Sequence, residues 1–260
     1  MRVMSVNTNG IRAAARKGFF DWLPTQNIDV VCIQETKAQE HQLDDAVFHP
    51  EGYSRYIVDA EKKGYSGVAI YSKREPDTVI REMGCEELDR EGRYVEARYG
   101  NLSIISLYVP SGSSSEERQA VKDRFMVFFQ PLLQGMKDEG RDCIICGDWN
   151  IAHKEADIKN WKGNKKNSGF LPYERAWLDT LFGEMGFVDG FRELPQEEHE
   201  YTWWSNRGQA WANNVGWRID YHILTPSLKG SVVSTEVYRD ERFSDHAPLI
   251  LEYNFDFPEA

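Results

Sequence analysis

Five short apolar runs in this chain meet carboxylates or carboxamides at one end: VMSVNTNG, VVCIQETK, CIICGDWN, WRIDYHIL and SDHAPLIL. A carboxylate at the lip of a buried strand is costly unless it is paired, hydrogen-bonded or bound to a metal. Taken singly, Asn7 or Asp148 reads as a helix cap. Several such groups in one strand-end context are too many for caps, and in α/β proteins strand ends are where ligands bind. Hard oxygen ligands with no Cys or His cluster favour Mg2+, with Mn2+ as a substitute, over zinc.

The remaining sequence supports a packed fold around those ends. Of 260 residues, 41% are hydrophobic and 28% charged, a balance that excludes disorder because it can bury enough apolar surface to offset ordering entropy. No linker, repeat or long low-complexity segment divides the chain, so residues 1–260 read as one domain. No apolar run approaches the roughly 18 residues of a membrane span, and the start lacks a basic region followed by a long apolar stretch. The expectation is a soluble cytoplasmic protein with no membrane partner.

Strand-like runs cover Val3–Val6, Val30–Ile33, Gly67–Tyr71, Tyr94–Arg98, Ser103–Tyr108, Cys143–Cys146, Tyr201–Trp204, Asp220–Leu224, Val232–Val237 and Leu249–Tyr253. Helical patterns cover Ile11–Leu23, Glu116–Gln134 and Glu174–Met185, the second marked by Ser113 or Ser114 as a cap. About ten strands interspersed with helices indicate α/β architecture with more than one sheet. Cys143 and Cys146 form a CxxC, but on a strand they face opposite ways and read as core thiols.

Net charge is −11, which on its face disfavours a polyanion partner. Binding follows the local field, however, and Lys159–Lys166 places four lysines among an aromatic and two amides. Among the histidines, His246 stands out beside Asp245. With Asp220 at another strand start, it is a candidate for an Asp–His pair that orients an imidazole. His153, just after Asp148-Trp149-Asn150, is the other histidine of interest.

The motifs Asn7–Arg12 (NTNGIR), Ile33–Lys37 (IQETK), Leu107–Pro110 (LYVP), Gly147–Ala152 (GDWNIA), Trp217–Tyr221 (WRIDY) and Ser244–Pro248 (SDHAP) resemble, in order, those of the exonuclease III type of abasic-site endonuclease. The resemblance runs from residue 1 to about 254. It implies a four-layer α/β sandwich, two packed mixed β-sheets flanked by helices, similar to deoxyribonuclease I. It also implies an Mg2+-dependent repair nuclease that cuts 5′ to abasic sites, with 3′-phosphodiesterase or 3′→5′ exonuclease activity. The partner is double-stranded DNA with abasic sites or blocked 3′-ends, and the implied setting is a nucleoid-associated monomer.

Carried over by the resemblance, Glu35 is the principal metal ligand, with Asn7, Asn9 and Asp245 around the ion and Asp148, Asn150 and His246 beside it. Asp148, helped by Asn150, resembles the group that positions the attacking water. His246, bonded to Asp220, resembles the phosphate contact, and Tyr108 the phenol beside metal and phosphate. Asn164, Lys165 and Asn167 match a DNA-contacting loop. Trp203 and Trp217 resemble the aromatic wall of a pocket for a base-less sugar, although one of the adjacent pair Trp203 and Trp204 must be core. Trp149, between Asp148 and Asn150, also favours DNA.

The chain departs from relatives in having Ser111 where some carry a phosphate-binding Asn, and in lacking a basic insertion residue at Ser111–Ser115. Arg207 is a candidate wedge in its place. Gly169, where some relatives are bulky, predicts that internal abasic sites are admitted. The alternatives are a catalytically silent nucleic-acid-binding regulator of the same fold and a lipid-directed phosphatase or sphingomyelinase.

Overall fold

The computed structural model describes residues 1–258. One sheet orders β13 (Val232–Val237), β14 (Leu249–Tyr253), β1 (Arg2–Asn7), β2 (Val30–Gln34), β4 (Val68–Ser72) and β3 (Ser54–Val58). The other orders β5 (Thr78–Ile80), β6 (Tyr94–Tyr99), β7 (Leu102–Tyr108), β8 (Asp142–Asp148), β12 (Asp220–Leu224) and β9 (Val188–Asp189). A separate ribbon pairs β10 (Trp203–Trp204) with β11 (Gly216–Trp217).

The central strands are covered on both faces, which is why they read as unbroken apolar runs. Val3, Val30 and Ile70 of one sheet meet Val95, Ile104 and Ile144 of the other in an inter-sheet core. Outside the first sheet, Met4, Val31 and Ile33 pack on α1 (Ile11–Arg16) and α2 (Phe19–Trp22). Short α3 (Glu86–Asp89) and long α4 (Glu116–Asp138) cover the second sheet with α6 (Pro172–Phe182), while α5 (Trp161–Asn164) is a single turn in a loop. The result is the expected four-layer α/β sandwich. Cys143 joins the outer core and Cys146 the inter-sheet core, so the CxxC straddles a strand with both thiols buried.

Topology gathers the polar strand ends at one edge. β1 runs parallel to β2 with Asn7 opposite Gln34, and β7 runs parallel to β8 with Tyr108 opposite Asp148. β12 runs antiparallel to β8, so its first residue Asp220 lies opposite Asp148. β14 runs antiparallel to β1, which brings the preceding Asp245 and His246 to the same rim.

Several element boundaries differ from the sequence expectation. The stretch Ile11–Leu23 is broken because Gly18 takes φ +87° between α1 and α2. The α4 cap is Ser115, whose Oγ accepts from the Arg118 N–H at 3.2 Å, rather than Ser113 or Ser114. β10 keeps only the last two residues of the expected Tyr201–Trp204 strand. Strands β3, β5, β9 and β11 have no counterpart in the sequence reading. Three of them span three residues or fewer, and β3 is an edge strand that is mostly half-exposed.

Candidate active site

The strand ends line one open cleft of about 780 Å³. Its wall includes Asn9, Glu35, Tyr108, Asp148, Asn150, Asp245 and His246, together with Trp203 and Trp217. Ligand atoms of Glu35, Asp148 and His246 all lie within 4.8 Å of one another. Two carboxylates supply the hard oxygens a divalent cation of the Mg2+ type prefers, so this donor set fits such an ion.

Asp148 ends β8 and is held from several sides. Its Oδ1 accepts from the Asn150 N–H at 2.9 Å, and its Oδ2 accepts from Asn7 Nδ2 at 2.9 Å. Asn7 also donates to Glu35 Oε1 at 2.8 Å, while its own oxygen accepts from the Asn9 N–H at 2.9 Å. Asn7, expected among the ligands, thus presents its NH2 and not its oxygen to the carboxylates, and bridges them. Burial pushes the Asp148 carboxyl up; neighbouring His246 pulls the other way, and Asp220 and Glu35 add to the rise.

His246 lies between two carboxylates. Its Nδ1 is 2.9 Å from Asp220 Oδ2, as the Asp–His pairing anticipates, and its Nε2 is 3.8 Å from Asp148 Oδ2. Burial disfavours the imidazolium, but Asp220, Asp148 and Asp245 outweigh it and the histidine is raised to about 10. Asp245 stands slightly apart, accepting from Trp203 Nε1 at 3.1 Å and from Ser244 Oγ at 3.1 Å. Those bonds, with His246, hold it below the usual carboxylate range despite its burial.

Tyr108 ends β7. Burial and the nearby Glu35 push its phenol well above its ordinary range, against the pull of Arg93, so it stays protonated. The Arg93 guanidinium lies 4.7 Å from the Tyr108 ring centroid and donates to the Tyr108 carbonyl at 3.1 Å. Lys37 caps the other side of the cluster, pairing with Glu35 Oε2 at 3.1 Å and donating to Asn9 Oδ1.

The ring wall divides as the strand alternation requires. Trp203 faces the cleft, edge-on to Trp217 with centroids 6.0 Å apart, whereas Trp204 is fully buried against Trp211. Gly169 closes one side at φ +91°, and a Cβ there would stand 3.0 Å from both the Trp217 ring and the Asn150 carbonyl. Arg207 and Asn167 line the cleft as well.

Other expectations land elsewhere. Asn164 bonds the Asn160 carbonyl and accepts from Asn167 Nδ2 at 2.7 Å, so it braces Asn167 from behind. The Lys165 ammonium lies 4.6 Å from the Trp161 ring centroid, and the neighbouring Lys166 is the lysine on the cleft wall. Trp149 makes no cleft surface: it is fully buried between Phe129 and Trp177, so its position next to Asp148 serves packing. His153 is tied to Asp179 at 2.7 Å, away from the cleft. Sequence reading assigned no role to Lys37, although it closes the IQETK motif, or to Lys166, although it lies in the basic loop.

Comparison with known proteins gives a consistent result. Residues 4–246 match the Endonuclease/Exonuclease/phosphatase family. An exodeoxyribonuclease of Bacillus subtilis (strain 168) is 42% identical over 258 residues, 98% of this chain and 100% of that protein. The DNA repair nuclease APEX1 of Danio rerio is 39% identical over 254 residues, 96% of this chain and 81% of that one. Among solved structures, an AP endonuclease from Archaeoglobus fulgidus superposes with a TM-score of 0.89 at 28% identity, covering 98% of this chain and 100% of that one. The chain belongs to the endonuclease/exonuclease/phosphatase family and, within it, to the exonuclease III type of phosphodiester hydrolase.

Proposed function

We propose that this chain is a DNA-repair nuclease that uses Mg2+ to hydrolyse the phosphodiester 5′ to abasic sites in duplex DNA, and that it also trims blocked 3′-ends. The observation that carries the reading is the meeting of Glu35, Asp148 and His246 beside a pocket walled by Trp203 and Trp217. Glu35 and Asp148, with Asn9 and Asp245 at the margin, would hold the cation, and Mn2+ suits the same donors. When bound, it supplies Lewis-acid stabilisation of the phosphoryl oxygens.

The residues divide the remaining work. Asp148 Oδ accepts a proton from the attacking water, which Asn150 helps orient. Asp220 fixes the His246 ring by its Nδ1, leaving Nε2 on the cleft side to donate to a phosphoryl oxygen. Tyr108 offers a neutral phenol at the same phosphate. Trp203 and Trp217 form a wall that admits a sugar without a base, because an intact base must be unstacked at a cost of a few kcal/mol and then accommodated. Arg207, Lys166 and Asn167 meet the DNA backbone at the rim.

Glu35, Asp148, Asn150, Asp245 and His246, which a catalytically silent regulator would not need, stand together at this cleft. The inter-sheet core is shared by both halves of the chain, which supports one domain over residues 1–260. We propose further that it works as a monomer on chromosomal DNA: one chain supplies every named group, and duplex DNA is the proposed substrate.

The test compares duplexes bearing an internal abasic analogue, a 3′-phosphate or a plain recessed 3′-end, each with and without Mg2+. Incision 5′ to the abasic analogue, lost with chelator and in Asp148→Asn, is expected. Full activity in chelator or in that variant, or no incision by the wild type, overturns the proposal.

A further inference from the structure

Beneath the cleft lies an ion pair that touches no substrate surface. Lys122 on α4 and Glu174 on the first turn of α6 are both 0% exposed and meet at 2.7 Å. Burying two charges costs several kcal/mol per ion before their attraction offsets it, and well-packed apolar residues often serve stability equally well. The pair therefore calls for an explanation other than stability.

Its remaining hydrogen bonds supply one. Lys122 Nζ donates to the Asn150 carbonyl at 2.7 Å. Glu174 Oε2 accepts from the Gly169 N–H at 2.7 Å and the Leu171 N–H at 3.1 Å. A helix cap would need only the Leu171 bond. Besides Gln119 Nε2, which donates to Glu174 Oε1 at 3.1 Å, the additional partners are the backbones of Asn150 and Gly169, both at positive φ and both on the cleft wall. Asn150 in turn holds Asp148 through its N–H, and Gly169 packs against Trp217.

We infer that the Lys122–Glu174 pair is a positioning device that locks the turn carrying Asp148 and Asn150 to the loop carrying Asn167 and Gly169. It thereby couples the water-activating side of the cleft to the sugar-pocket side. The two residues act through different loops and so have separable effects. Lys122 acts on the turn that holds the proton acceptor, and its loss lowers kcat. Glu174 acts on the loop that shapes the pocket, and its loss raises KM.

This inference rests on the proposed function, and the assay is steady-state incision of the abasic duplex in Mg2+ with thermal unfolding measured in parallel. Lys122→Met is expected to lower kcat at least about tenfold with KM within about twofold; Glu174→Gln is expected to raise KM about fivefold or more. The double variant Lys122→Met/Glu174→Leu leaves no charge buried alone. It is expected to recover most of the lost Tm while kcat stays depressed, a result that a purely structural pair cannot give. A double variant with wild-type kcat, or one that does not fold, assigns the pair to stability and overturns the inference. Single variants with kcat and KM unchanged do the same. If the wild type itself fails to incise, the proposed function falls first and this inference with it; wild-type incision with unaffected variants removes the inference alone.

Discussion

Asp157 and Arg218 are 1% exposed, and together they anchor the segment that carries Trp217 and Asp220. Arg218 Nε donates to Asp157 Oδ1 at 2.7 Å, Arg192 reaches the same oxygen at 2.6 Å, and the Lys154 N–H meets Oδ2 at 2.8 Å. Burial alone would raise the Asp157 carboxyl, but Arg218 and Arg192 outweigh it and hold it at about 2. The gap from 3.8 is worth about 2 kcal/mol to the folded state at neutral pH. Because the folded value is the lower one, that stability is complete well above pH 3.8 and is lost as pH falls through about 2. In Asp157→Asn, Arg218 still keeps its bonds to Asp189 at 2.7 and 3.2 Å, which puts the loss at the lower end of the range of about 3–5 kcal/mol for a broken buried pair. For a chain of this size that is a fall in Tm of roughly 6–12 °C. Urea unfolding followed by tryptophan fluorescence from pH 7 down to pH 2 measures both features. The gap between wild type and variant should be constant above about pH 5 and narrow by about 2 kcal/mol as pH approaches about 2. Equal midpoints at pH 7, or a gap that persists unchanged to pH 2, refute the reasoning.

Three further outcomes follow from the cleft. Glu35→Gln should raise the Mg2+ concentration for half-maximal incision at least about tenfold, because one hard anionic ligand is gone, and an unchanged midpoint removes Glu35 from the metal site. Trp217→Ala should raise KM for the abasic duplex with little change in Tm, whereas Trp204→Ala should cost about 3–5 kcal/mol of stability; a reversal of the two would show that the wrong ring was assigned to the wall. Gly169→Asn tolerates the left-handed backbone but crowds Trp217, so kcat/KM should fall more for an internal abasic site than for a recessed 3′-end, and equal losses would argue against a pocket there.

What the sequence showed clearly was what strand periodicity and charge cost make visible. Asp148, Asp220 and His246 could be picked out because polar groups at the ends of apolar runs need partners, and the sheet registers supply them. The central strands were legible as unbroken apolar runs. Two-residue β10 and β11 were not, since no periodicity exists at that length. The division between Trp203 and Trp204 followed from strand alternation, but Trp149 did not, because β8 ends at Asp148 and alternation no longer applies one residue later. The supporting charges were the least legible. Lys122, Arg93 and Glu174 sit in polar-looking stretches, and only tertiary packing reveals that each is fully enclosed and bonded to backbone at the site.

Backbone strain gives the cleft a cost that can be measured. Among the described residues eight non-glycine positions have positive φ, and four of them, Asn9, Glu35, Lys37 and Asn150, line the cleft. Glutamate gains nothing locally from φ +49°, a conformation that costs a side-chain-bearing residue roughly 1–2 kcal/mol. The reason lies in β2: Gln34 points between the sheets to Ser106 at 3.0 Å, so an extended Glu35 would face the opposite way. The left-handed kink turns it back to Asn7, and bonds from the Gly10 N–H to the Glu35 carbonyl and from the Lys37 N–H to Ser66 hold it there. Without a cation the Glu35 carboxylate also repels Asp148. Glu35→Gly therefore removes strain and repulsion together, against a glycine entropy cost of about 0.5–1 kcal/mol, the weak, partly exposed Lys37 pair and the Asn7 bond to Oε1, which water in the open cleft can replace. The variant should be inactive in Mg2+, yet in chelator its stability should match the wild type's to within about 1 kcal/mol. A loss of more than about 1 kcal/mol, the ordinary outcome for a point substitution, would mean that Glu35 holds the fold together and is not strained in the service of the site.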